Sequence, residues 1–119
     1  MSKARINLGK HGEDLAVRFL EEKGFQIIQR NYRQKCGEVD IIAKDKGTLV
    51  FIEVKTRSSL LFGQPFEAVT TAKQVQLNRI ALDYMTRNKI TNQAARFDVI
   101  SILLEKNREA KLEHLRNCF

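Results

Sequence analysis

From Asn7 to Lys23 the apolar residues Leu8, Leu15, Ala16, Phe19 and Leu20 recur at helical spacing, and Gly24 follows where a C-terminal cap belongs. The spacing predicts a helix. Phe25 to Tyr32, rich in aromatic and β-branched residues, predicts a strand. Two more strand-like runs, Glu38 to Lys44 and Thr48 to Thr56, are separated by Asp45, Lys46 and Gly47, a polar segment suited to a hairpin turn, so they are expected to pair antiparallel. Arg57 to Phe66 carries Ser58, Ser59, Gly63 and Pro65 without periodicity and reads as a loop leaving the sheet. Thr70 or Thr71 is placed to cap a second helix reaching about Asn88, with Val75, Leu77, Ile80, Ala81, Leu82 and Tyr84 as its apolar surface. Arg96 to Leu104 returns to strand character, Glu105 to Ala110 turns the chain, and a short last strand is expected around Leu112 to Leu115. This order describes one layered α/β domain with a mixed sheet.

The segment from Gly37 to Arg57, GEVDIIAKDKGTLVFIEVKTR, breaks the pattern of a buried strand because charges interrupt its apolar run. Alternation puts Glu38 and Asp40 on one face of the first strand and Glu53 and Lys55 on one face of the second, with Val50, Ile52 and Val54 opposite. Two carboxylates and a lysine gathered among Ile, Val and Phe are costly unless paired or bound to a cation. Hard divalent cations, Mg²⁺ or Mn²⁺, prefer such oxygens and retain waters for a substrate phosphate. The plain alternative is a salt bridge of Lys55 with a neighbouring carboxylate on an exposed edge.

Composition narrows the partner more than the fold. The 119 residues, 43% hydrophobic, suffice for a single core spanning residues 1–119, and no linker, repeat or low-complexity tract divides them. The 21 Lys and Arg outnumber the 14 Asp and Glu, for a formal net charge of +7, which favours a polyanion, nucleic acid first. The positive charge is not gathered on one amphipathic helix, which argues against a membrane surface. Cys36 and Cys118, in a chain showing no signal peptide and no bilayer-length apolar run, read as free thiols of a cytoplasmic protein. With His11 and His114 they lack zinc-ligand spacing.

An acidic residue on one strand followed, after a hairpin, by Glu, a hydrophobic residue and Lys resembles the site of the restriction-endonuclease-like superfamily, here Asp40 and Glu53-Val54-Lys55. The motifs GxxGE at Gly9 to Glu13, NYR at Asn31 to Arg33, GEVD, FIEVKTR, FGQPFEAV at Phe62 to Val69, Lys73 and RFDVI at Arg96 to Ile100 are similar to the YraN-type bacterial proteins, grouped by fold with archaeal Holliday-junction resolvases. The resemblance covers about Gly9 to Ile100. It implies a restriction-endonuclease-like α/β fold with a mixed central sheet and an αβββαβ core, and a metal-dependent endonuclease. It also implies Glu13 as an additional acidic site residue delivered from the first helix. At ~100° per residue, Glu13 borders the apolar arc marked by Ala16 and Leu20, consistent with reaching inward over the sheet. An exposed acid near a helix N-terminus is the other reading.

On this reading Asp40, Glu53, the Val54 carbonyl and Glu13 hold one or two Mg²⁺ or Mn²⁺ ions, and Lys55 orients the attacking water and stabilises charge. Lys73 and Gln74, at the start of the second helix, are candidates for phosphate contact, with a solvated helix end as the alternative. Arg33 and Arg57, with Lys3, Arg5, Lys10, Arg30, Lys35 and Arg79, are candidates for a phosphate track. Tyr32, Phe62 and Phe66 are candidates for base stacking, though core packing suits them as well. Asp98 is expected to be structural, paired with Arg96 or a loop amide. The substrate expected is DNA, branched DNA included. A silent nucleic-acid-binding module and a basic interaction protein are the rivals. Junction-resolving relatives act as symmetric dimers, so a homodimer is compatible, while the sequence locates no interface.

Overall fold

The end of the first helix shows how the chain enters its sheet. In the computed structural model, which describes residues 3–58 and 70–118 with side chains from Gly9 onward, α1 (Lys3–Glu22) stops at Gly24, whose φ of 92° suits glycine. The Phe25 amide bonds the Leu20 carbonyl and the Gly24 amide that of Glu21, a Schellman closure. The chain then runs as β1 (Gln26–Gln34), β2 (Gly37–Asp45) and β3 (Thr48–Arg57). Lys46 and Gly47, at φ 48° and 91°, form the two-residue turn joining β2 to β3, with Asp45 opposite Thr48. Positive φ at both central residues matches the turn to the twist of the strands.

Thr70 caps α2 (Thr71–Arg87), its hydroxyl accepting the Lys73 amide at 3.2 Å. The helix carries the chain across the sheet, so β4 (Ala95–Leu103) lies parallel to β3, from Leu49 opposite Ala95 to Arg57 opposite Leu103. The short β5 (Lys111–Leu115) closes the far edge antiparallel to β4. The result is a mixed α/β domain with a five-stranded sheet in the order β1-β2-β3-β4-β5.

Alternation along the strands feeds two cores. On one face Ala16 and Leu20 of α1 and Phe25 pack on Ile41, Ala43, Val50, Ile52, Ile100 and Ile102. On the other, Leu77, Ile80, Ala81 and Tyr84 of α2 pack on Tyr32, Val39, Ile42, Leu49 and Phe51. Each fully buried Ile or Leu contributes about 2 kcal/mol, which offsets the charges the sheet also carries. Gly12 lies where α1 crosses β3, and a Cβ there would strike the Thr56 side chain.

The predicted elements all form, with shifted ends. α1 begins by Lys3 rather than Asn7, and β1 continues to Gln34. Val75 and Leu82, expected on the apolar surface of α2, are 45% and 65% exposed, because the buried arc is set by Leu77, Ile80, Ala81 and Tyr84. β3 reaches Arg57, and most of the expected loop, including Phe62 and Phe66, lies outside the described residues, as does Glu67 of the FGQPFEAV motif. Among the described residues no helix is long and apolar enough to cross a membrane.

Candidate active site

The site begins where the β2–β3 ladder ends. Pairing stops at Ile41 opposite Ile52, and the neighbouring Asp40 bonds sideways, its Oδ2 accepting the Val54 amide at 2.7 Å. A carboxylate thus takes a place that a strand carbonyl would fill. The same step interrupts the alternation expected along β2, since Val39 packs in the α2-side core and Ile41 in the α1-side core. Asn31, on β1 between the partners of those two residues, sits at φ 53°, in the left-handed region. Glu38, expected to share a face with Asp40, stays exposed and pairs with Arg33 at 2.8 Å.

Glu53 is only 6% exposed. The Lys73 ammonium, reaching in from the first turn of α2, stands 3.2 Å from its Oε2, but the two are not aligned as a hydrogen bond. Lys73 Nζ instead donates to Gln76 Oε1 at 3.2 Å, and Glu53 Oε2 is buried without a hydrogen-bond partner. Burial, and then the neighbouring Glu53 carboxylate, push the Asp40 pKa up to about 8. The Val54 amide and the Lys55 ammonium act in the opposite direction. Near neutral pH Asp40 therefore keeps its proton unless a cation replaces it.

The structure brings together Asp40, Glu53, Lys55 and Lys73. Lys55, which the strand pattern placed on one face with Glu53, is half-buried two residues beyond it and acts electrostatically on Asp40. Glu13 does not join them. Its carboxylate accepts from Arg30 Nε at 2.9 Å and Asn31 Nδ2 at 3.1 Å, and Arg30 also binds Asp14, so Arg30 serves an internal network. Among the described residues no group of three or more His, Cys, Asp and Glu side chains is disposed to hold a metal. Gln74 is half-buried beside Lys73 at the start of α2, and Arg57 is half-buried at the end of β3.

Tyr32 is a core residue, with its hydroxyl donating to Asp83 at 2.6 Å and its ring edge-on to Tyr84. Asp98 is structural as expected, held by Arg96 and the Asn117 amide, and also by His114. Gln76 is the member of the site that sequence reasoning missed. Its spacing three residues beyond Lys73 was the available signal, whereas the Lys73–Glu53 approach depends on how α2 docks.

Fold and site together define a mixed α/β domain, helices on both faces of one sheet, with a buried acidic pair and two lysines where two central strands part. The chain belongs to the uncharacterised protein family UPF0102, whose model matches residues 12–102, and this agrees with the YraN-type motifs. It is similar to the UPF0102 protein of Geotalea daltonii, 49% identical over 112 residues that cover 94% of this chain and 88% of that protein. A UPF0102 protein of Chlorobium phaeobacteroides is 50% identical over 118 residues, 95% of this chain and 94% of the relative.

Proposed function

We propose that this chain is a divalent-cation-dependent nuclease of the restriction-endonuclease-like superfamily, acting on phosphodiester bonds of nucleic acid and on DNA foremost. The observation that carries the proposal is the convergence of Asp40 and Glu53 from adjacent strands, buried, with Lys55 alongside and Glu53 Oε2 lacking a hydrogen-bond partner. The order α1-β1-β2-β3-α2-β4 supports it, being the αβββαβ order of that superfamily.

The donor set suits a hard cation. Mg²⁺ and Mn²⁺ need only one or two carboxylates because they keep waters and take substrate oxygens, and Asp40, Glu53 and the Val54 carbonyl would hold such an ion. When bound, it polarises the scissile phosphate and lowers the pKa of water. The Val54 amide fixes one Asp40 oxygen, and the carboxyl also engages the Glu53 side chain, so the two acids present their oxygens together. Lys55, its charge next to the acids, is placed to orient the nucleophilic water and to offset charge on the phosphate. Arg33, 71% exposed on the α2 side, and Arg57 supply outer phosphate contacts.

The test is cleavage of branched, flapped, single-stranded and duplex DNA, and of RNA, with Mg²⁺ or Mn²⁺. Glu53→Ala and Lys55→Ala should each lower the rate by at least about 100-fold while the far-ultraviolet spectrum is kept, as expected for removing one group that stabilises transition-state charge. Equal cleavage by variants and wild type overturns the assignment. Binding without cleavage by the wild type would replace the nuclease with a silent nucleic-acid-binding module.

A further inference from the structure

Lys73 stands where a cation is needed. Glu53 is the more deeply buried acid of the site, and a buried carboxylate is unstable without a positive neighbour. Among the described residues, the cation closest to its unpartnered oxygen is the Lys73 ammonium, 3.2 Å away. Yet the ammonium donates its hydrogen bond to Gln76, at 3.2 Å, so Lys73 faces Glu53 as a point charge. Gln76 in turn lies over Gly37, at φ 147°, where a Cβ would collide with the glutamine side chain. Lys73 and Gln76 also line an open groove of about 290 Å³ with Arg33, Gln34, Gly37 and Glu38. The side chain is 23% exposed, so the groove offers the ammonium somewhere to go.

We propose that Lys73 is an exchangeable counter-ion, neutralising Glu53 in the metal-free protein and giving way to a divalent cation by swinging into the groove. The inference rests on the nuclease reading of Asp40 and Glu53. Two cations cannot both sit against one carboxylate oxygen at this distance without strong repulsion. A lysine is suited to exchange because its charge is compact and its four-carbon stem flexible. Loading the site therefore requires displacing an internal competitor, and Lys73 sets the cation concentration at which the site fills.

The experiment is Mn²⁺ binding to the purified protein by calorimetry, without nucleic acid, together with thermal unfolding. Lys73→Met should bind Mn²⁺ about tenfold more tightly than wild type, a difference of about 1.4 kcal/mol. It should also melt at a lower temperature without metal and regain most of that loss with Mn²⁺. Lys73→Arg, which keeps the charge, should stay near wild type. Lys73→Gln, which keeps a donor and loses the charge, gives the same reading as Met if the Met variant fails to fold. Equal Mn²⁺ affinity in Lys73→Gln and wild type, with affinity lost in Glu53→Gln, overturns the exchange and leaves the nuclease reading standing. Mn²⁺ binding that survives Glu53→Gln, or no binding by wild type, overturns both.

Discussion

Asp98 and Asp40 lie in one sheet, the first buried and the second half-buried, and the sheet treats them in opposite ways. Asp98, in the centre of β4, is 1% exposed and saturated: Arg96 contacts both its oxygens, His114 Nε2 lies 2.8 Å from Oδ2, and the Asn117 amide donates to Oδ1. Burial pushes its pKa up, but the His114, Arg96 and Asn117 contacts outweigh burial and hold the carboxyl below its ordinary range. An ionised carboxylate only accepts, so Nε2 of His114 carries a proton. Asp40 has one amide, a nearby lysine and a second acid for company, and its pKa rises to about 8. A saturated charge fixes structure, whereas on the proposed nuclease reading the acid with few partners is held ready for a ligand.

The largest expected effect comes from breaking the saturated cluster. Asp98→Ala leaves the Arg96 guanidinium and the His114 donor buried without their acceptor, and it frees the chain after β5 at Asn117. Removing one partner of a buried pair costs about 3–5 kcal/mol, to be read from urea unfolding at pH 7. A loss below about 1 kcal/mol would show that Asp45, which also binds Arg96 at 3.0 Å, suffices to hold the cluster. Because the Asp98 pKa is lowered by folding, its contribution is present above the unfolded value and is lost as pH falls through the folded one.

Asp40 should behave with the opposite sign and a smaller size. Its pKa rises on folding from 3.8 to about 8, so its contribution is fully present below pH 3.8 and is lost as pH rises through 8. Asp40→Asn keeps an acceptor for the Val54 amide and removes the charge that burial opposes. Without metal, the variant should be more stable than wild type at pH 8.5 by on the order of a few kcal/mol, and close to it at pH 4. Urea midpoints at the two pH values test this. An Asp40→Asn protein less stable at pH 8.5 would make Asp40 a structural acid like Asp98.

The contrast between these acids was only half legible in the sequence. Element order, the Gly24 cap, the Lys46–Gly47 turn and the grouping of Glu53 with Lys55 follow from period and turn chemistry alone, both local properties. The partnership of Asp98 with Arg96 was readable because alternation puts residues two apart on one face. His114 was not, since it reaches Asp98 through the β4–β5 register, Ile100 opposite His114, which no short pattern encodes. The sideways turn of Asp40 was hidden for a similar reason: strict alternation was the rule available, and the ladder stops just beside it. Glu13 lay on the expected margin of α1, but the arginine it meets there, Arg30, comes from β1.

The two clusters also differ in what supports them, and the smallest predicted effect exploits that. Asp98 is held from β4, β5 and the residues just after β5, with no contribution from α2. Glu53 depends on the first turn of α2, where Lys73 is placed by the Thr70 cap. Thr70→Ala removes the acceptor for the Lys73 amide and should cost about 1 kcal/mol. The loosened turn lets Lys73 leave Glu53 more easily, so the loss should shrink when Mn²⁺ is present, while the acid limb of the stability curve, set by Asp98, keeps its midpoint. Urea unfolding of Thr70→Ala across pH 3–6, with and without Mn²⁺ at the upper end, measures both. A displaced acid limb would mean that α2 supports both aspartates, and the division between a structural and a ligand-ready acid would then fail.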